Sequence, residues 1–160
     1  MDLNYYAFFA IAFLPLIIGY FWYRPMGRIA LWAGEVVQDL SSISVKQMLL
    51  LYLASLGLVY AYMNLIIHQL GFYELFFTDI MLGKDSANDI VADFLATYGS
   101  KHRHFGHGIL HGAINAFLIA LPLTLVQAIL YNKGLRYVMF HFSYWLLTSV
   151  IVGGLISEFI

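Results

Sequence analysis

The stretch Phe105–Tyr131, "FGHGILHGAINAFLIALPLTLVQAILY", contains no Asp, Glu, Lys or Arg and opens on two histidines. The hydrocarbon core of a bilayer is about 30 Å thick and takes roughly 20 helical residues, so this run predicts a membrane span with a polar mouth. Three further apolar runs meet the same length requirement, at about 4–23, 47–72 and 137–160. The expected architecture is all-α: a four-transmembrane-helix bundle forming one integral membrane domain over residues 1–160, with short helices in the loops. Before the first run there is no Lys or Arg, and it ends in "FWYRP", an aromatic belt followed by a charge. This reads as a retained span and not as a cleaved leader.

Composition places the chain in the same solvent. Apolar residues make up 62% and charged residues 11%, and the mean hydropathy is +0.80; a soluble domain is roughly half apolar and about a quarter charged. The net charge of -1 gives no footprint for nucleic acid, and no basic cluster in the sequence marks binding to anionic headgroups. Partners are therefore expected in the membrane: lipids, other membrane proteins or a second copy of the chain, with bound lipid the expected companion. There is no cysteine, so disulfides, thiolate nucleophiles and cysteine-ligated metals are excluded, leaving His, Asp and Glu as the strong metal ligands.

The loops carry their own patterns. "GRIALWAGEVVQDLSS" (27–42) is too short and charged to cross and predicts an interfacial helix. "SANDIVADFLATYG" (86–99) predicts an amphipathic helix, with Ser86 as N-cap and Gly99 as stop, inside an acidic segment that reads as a solvated face. With the N-terminus outside, five basic residues fall in the inner loops (Arg24, Arg28, Lys46, Lys133, Arg136) against three outside (Lys84, Lys101, Arg103), which favours both termini outside.

Helical geometry organises the third span. At 100° per residue, His104, His107, His111 and Asn115 fall within about 80° of one another and form a polar stripe. Beside it Gly108, Gly112, Ala116 and Ala120 repeat every four residues, the small-residue ridge that lets helix backbones approach in lipid. Span two offers Tyr60, Asn64 and His68, and span four offers His141, Trp145, Ser149, Gly153 and Ser157, at the same spacing. Intramembrane polar groups turn inward, so these rows predict a polar seam of Tyr60, Asn64, His68, His111, Asn115 and Ser149. His141 lies at the opposite end of the bundle from the other histidines.

Several of these pieces together are similar to a known group of proteins. The Trp22-Tyr23-x-Pro25 ending of the first helix, the pair His68-Gln69, the "GHGILHG" start of the third helix, and Tyr144-Trp145 with Gly153-Gly154 in the fourth resemble domain-of-unknown-function family 1761, multi-pass membrane proteins of bacteria and fungi. The resemblance implies four helices and a membrane location, expected as the bacterial inner membrane, with no established activity.

The histidines are the nearest approach to chemistry. The pair His107 and His111, at i and i+4, can bind zinc, copper or nickel from one helix face, and His104 can add a third nitrogen. "HGILH" lacks the glutamate of "HExxH", so a zinc-hydrolase reading has no general base. Haem held by His68 and His111 is conceivable. No catalytic residue is assigned: phosphate-binding loops, "GxSxG" and intramembrane carboxylate pairs are absent from the sequence. The favoured reading is a non-enzymatic protein acting by helix–helix association, as a homo-oligomer or accessory subunit, with His107 and His111 bridging to Asp89 and Asp93 by hydrogen bonds. The alternatives are a small carrier or channel along the polar seam, and a metal or haem protein.

Overall fold

The computed structural model describes residues 3–24 and 42–160, and among these the chain is helical with no strand. The expected interfacial helix at 27–42 lies, except for Ser42, outside the described residues. Four helices are long and apolar enough to cross a membrane: Tyr5–Tyr23, Val45–Ile66, Phe105–Leu130 and Leu135–Phe159. The protein is an integral membrane protein. Its outward side chains fit that solvent, since Phe21, Leu118, Ile129 and Leu130 are all exposed on the bundle surface.

Span one is two helices in tandem, α1 (Tyr5–Ile11) and α2 (Leu14–Tyr23), with Pro15 in the first turn of α2. A proline in that position has no N–H to lose, so the chain bends at Ala12–Phe13 and resumes. Span three is interrupted similarly. Helix α6 (Phe105–Asn115) passes through a π-turn at Ala116–Ala120 into α7 (Leu121–Leu130), with Pro122 near its start. Pro122 cannot bond to the carbonyl four residues back, and the wider turn absorbs the clash.

The second span differs from expectation. Helix α3 (Val45–Ile66) begins with a capping box in which Ser44 Oγ accepts from Gln47 N at 3.3 Å, and it ends six residues short of the expected Phe72. Ile67 leaves the helical region at φ −90°, ψ 88°, and a separate helix α4 (His68–Met81) starts at the next residue. Helix α5 (Asp85–Tyr98) returns beside α4, with Phe72 stacked on Phe94 at 3.7 Å between ring centroids. The turn between them uses Gly83 at φ +70°, a left-handed position that suits glycine after a helix C-terminus. Helix α5 starts at Asp85, with Lys84 and not Ser86 in the capping position. Lys84 Nζ instead pairs with Asp79 at 2.7 Å, drawn across the tight turn.

Helix α8 (Leu135–Phe159) is the axis on which the others pack. Its closest neighbour is α6. A Cβ on Gly108 would strike Gly153 O, and one on Gly112 would strike Ser149 O, so these backbones touch directly. The ridge of Gly108, Gly112 and Ala116 is therefore consumed within the chain, packed against α8. Ala120, at the end of the π-turn, is only half-buried. On an adjoining face of α8, Val152 and Ile156 join Ile11, Ala12, Val59, Ile66 and Ile67 in the apolar core, bringing α1 and α3 onto the same helix.

Candidate functional site

The break at Ile67 positions the site. By ending α3 there, the chain redirects His68 toward α6, and Gln69 fixes the new course: its Nε2 donates to Tyr98 O at 2.9 Å and to Lys101 O at 2.8 Å. This ties the start of α4 to the turn that leads into α6. The imidazole of His68 consequently meets those of His107 and His111, with ring centroids 5.5 and 5.0 Å away, while His107 and His111, one helical turn apart, are separated by 4.4 Å. One nitrogen from each of the three lies within 4.8 Å of the others.

His104 has a different job from the ligand role read from the sequence. It is the N-cap of α6, and its Nδ1 accepts from His107 N at 3.2 Å, which commits that nitrogen to the backbone, and its ring stands outside the group of His68, His107 and His111. A second acceptor completes the helix start: Glu158, near the end of α8, takes the N–H of Phe105 on Oε2 at 2.8 Å. An anionic oxygen at an N-terminus also meets the positive end of the helix dipole. His102 was not singled out by spacing, yet its ring stacks on His107 at 5.0 Å and 23°. It sits at φ 63°, a left-handed position for a non-glycine residue, and Ser157 Oγ donates to its carbonyl at 3.1 Å. Five of the six histidines thus gather at one end. Asp89 and Asp93, expected as their partners, stand exposed on α5 and form no hydrogen bond or ion pair with them.

The polar seam is rotated relative to the expected row. Tyr60 is 57% exposed, and the half-buried Asn64 turns its Nδ2 back to Tyr60 O at 2.8 Å, so neither bonds across the bundle. The seam residues of α3 are Ser55 and Tyr62, and Tyr62 Oη meets Ser149 Oγ of α8 at 2.7 Å. His68 belongs to α4 and takes no part in that row. Asn115 lies one turn beyond His111 and is buried, with its Nδ2 unpartnered; His107 Nε2 is likewise buried and unpartnered.

At the opposite end His141 builds a separate arrangement. Tyr23 Oη and His141 Nδ1 are 3.1 Å apart, and Tyr144 Oη donates to Pro15 O at 2.9 Å, so α2 is fastened to α8 by two tyrosines. No histidine of this end reaches the triad.

The donor set has a clear chemistry. Tetrahedral zinc with Zn–N bonds of about 2.0 Å puts its nitrogen ligands roughly 3.3 Å apart. Three imidazoles within 4.8 Å need only small side-chain rotations to close on one ion. The same proximity leaves no slot for a porphyrin between His68 and His111, because His107 packs against both. Three neutral nitrogens with no carboxylate suit zinc, copper or nickel and not magnesium or calcium, which prefer oxygen. Comparison with protein-family models, curated proteins and solved structures gives no match to this chain.

Proposed function

We propose that this protein is a membrane-embedded binder of a divalent transition metal, held by His68, His107 and His111. The observation that carries the reading is the convergence of three imidazole nitrogens from two helices within 4.8 Å, with the Nε2 of His107 buried and without a partner. Three histidines leave a fourth coordination position for water or a passing ligand. No carboxylate is recruited to the three nitrogens, and the reading is kept to binding. Its setting is the bacterial inner membrane, with both termini and the triad on the outer side, as the balance of basic residues favours. Membership of family 1761 belongs to the same proposal and rests on the "GHGILHG" start of α6.

Association with other chains loses its main support, since the glycine ridge is packed inside the bundle. Any self-association or accessory role would use the outer, lipid-facing helix surfaces. A carrier reading has one observation in its favour: Asn115, with its buried unpartnered Nδ2, continues the stripe inward from His111.

The test is metal content and titration calorimetry on protein purified without a polyhistidine tag. One zinc, copper or nickel ion per chain is expected, lost in His107→Gln/His111→Gln and in His68→Gln, and kept in His141→Gln. Retention of stoichiometric metal by the double variant sinks the reading. Loss of zinc uptake into proteoliposomes by Asn115→Leu, with binding intact, would support a carrier.

A further inference from the structure

Away from the triad, the seam between α2 and α3 does not close among the described residues. These helices and α8 surround a cavity of about 470 Å³ walled by Pro15, Leu51, Leu58, Tyr144 and Trp145, with Ser55 as a polar point. Ligand pockets commonly fall between about 300 and 1,000 Å³ and are mostly apolar. Along the same seam runs a groove of about 560 Å³ lined by exposed side chains such as Phe21 and Leu49. Cavity and groove share Leu16, Tyr20 and Met48, so the cavity communicates with the hydrocarbon around the protein.

Among the described residues, the mouth of this seam is basic. Arg24 follows the last residue of α2 and places its guanidinium 5.1 Å from the centroid of Tyr20, a cavity residue. Lys46 sits in the first turn of α3 beside Val45, which lines the groove. Lys133 and Arg136 flank the turn into α8 at the same end. The six described carboxylates belong to the α4–α5 hairpin and to the end of α8, which attach at the histidine end. These cations are scattered along the sequence and fall at helix ends on one side of the bundle, which is why the sequence displays no basic cluster.

We propose that the α2–α3 cavity binds one anionic phospholipid, with an acyl chain inside the cavity and the phosphate held by Arg24 and Lys46. The apolar wall accounts for the tail, access from the hydrocarbon accounts for the route, and the paired cations account for the charge of the head. Each cation near a membrane surface favours an anionic headgroup by roughly fivefold.

The experiment is native mass spectrometry of the full chain in neutral detergent, after incubation with equal amounts of phosphatidylglycerol and phosphatidylcholine. Wild type should retain one phosphatidylglycerol in clear preference to phosphatidylcholine. Arg24→Gln/Lys46→Gln should still hold lipid but without preference, and the cavity-filling change Leu51→Trp should hold none. If Leu51→Trp does not fold, as judged by its melting curve, Ala54→Leu takes its place. Equal retention of the two lipids by wild type, unchanged preference in the charge variant, or undiminished lipid in a folded cavity-filled variant would each overturn the proposal. Absence of retained lipid from wild type would also overturn it.

Discussion

Two seams of one bundle, built from similarly apolar helices, reach opposite outcomes. Between α6 and α8 the backbones touch, glycine to glycine and glycine to serine, with no room for a Cβ. Between α2 and α3 the side chains hold the helices apart and leave a cavity lined by Leu, Met, Tyr and Trp. In lipid there is no hydrophobic gain from pressing two apolar helices together, so packing is decided by how closely the backbones can approach. Small residues at four-residue spacing permit that approach on α6, and bulky aromatics forbid it on α2. The tight seam anchors the histidines, and the open one leaves space for a guest.

The largest test of this contrast is at Gly112. Replacing it by Leu places a side chain where Ser149 O stands, and the helices must separate. Overpacking of this kind costs about 1–3 kcal/mol, read as a lower melting temperature in detergent. Gly153→Leu should behave alike, since its Cβ would strike Gly108 O. On the proposed metal-binding role, both variants should also lose metal affinity, because His107 and His111 ride on α6. An unchanged melting temperature for Gly112→Leu would mean that the two helices do not touch there.

The tight seam was legible in the sequence, and so were the four spans, because both follow from local patterns: about twenty apolar residues for a span, and a four-residue repeat of small side chains for the ridge. The break at Ile67 was not. No proline or glycine stands there, and what holds the new direction is a long-range tether from Gln69 to Tyr98 O and Lys101 O. Missing that break put His68 on one helix with Tyr60 and Asn64 and gave a seam turned by the wrong angle. The same gap hid that His68 comes together with His107 and His111. His104 has the right spacing for a ligand, yet spacing does not reveal that a residue at a helix start spends one ring nitrogen on the backbone. Glu158 escaped notice because its partner, Phe105 N, lies on a different span.

A medium-sized effect is expected where the seam is polar. Tyr62 and Ser149 share a buried hydrogen bond of 2.7 Å between α3 and α8. Inter-helix hydrogen bonds in membrane proteins average about 0.6 kcal/mol, because the separated helices also find partners. Tyr62→Phe should therefore lower the melting temperature slightly, and Ser149→Ala should do the same. Combining them should cost little more than either alone, since each removes the same bond. A fully additive double change would show that the two hydroxyls have other partners.

The smallest expected effect is at Gly57, and it separates contact from flexibility as the reason glycine matters here. Gly57 lies within α3, and a Cβ built on it meets nothing within 4 Å, in contrast to Gly112. Alanine at this position fills open space and stiffens the helix, and glycine in a helix interior is worse than alanine by roughly 0.5–1 kcal/mol. Gly57→Ala should leave the melting temperature unchanged or raise it a little, whereas Gly112→Ala should lower it, because even one methyl group collides with Ser149 O. The pair of variants uses the same chemical change on two helices of one protein. If both lowered stability equally, the glycines would be serving helix bending and not close approach, and the distinction between the two seams would fail. Opposite signs would tie the difference to the backbone contact at Ser149.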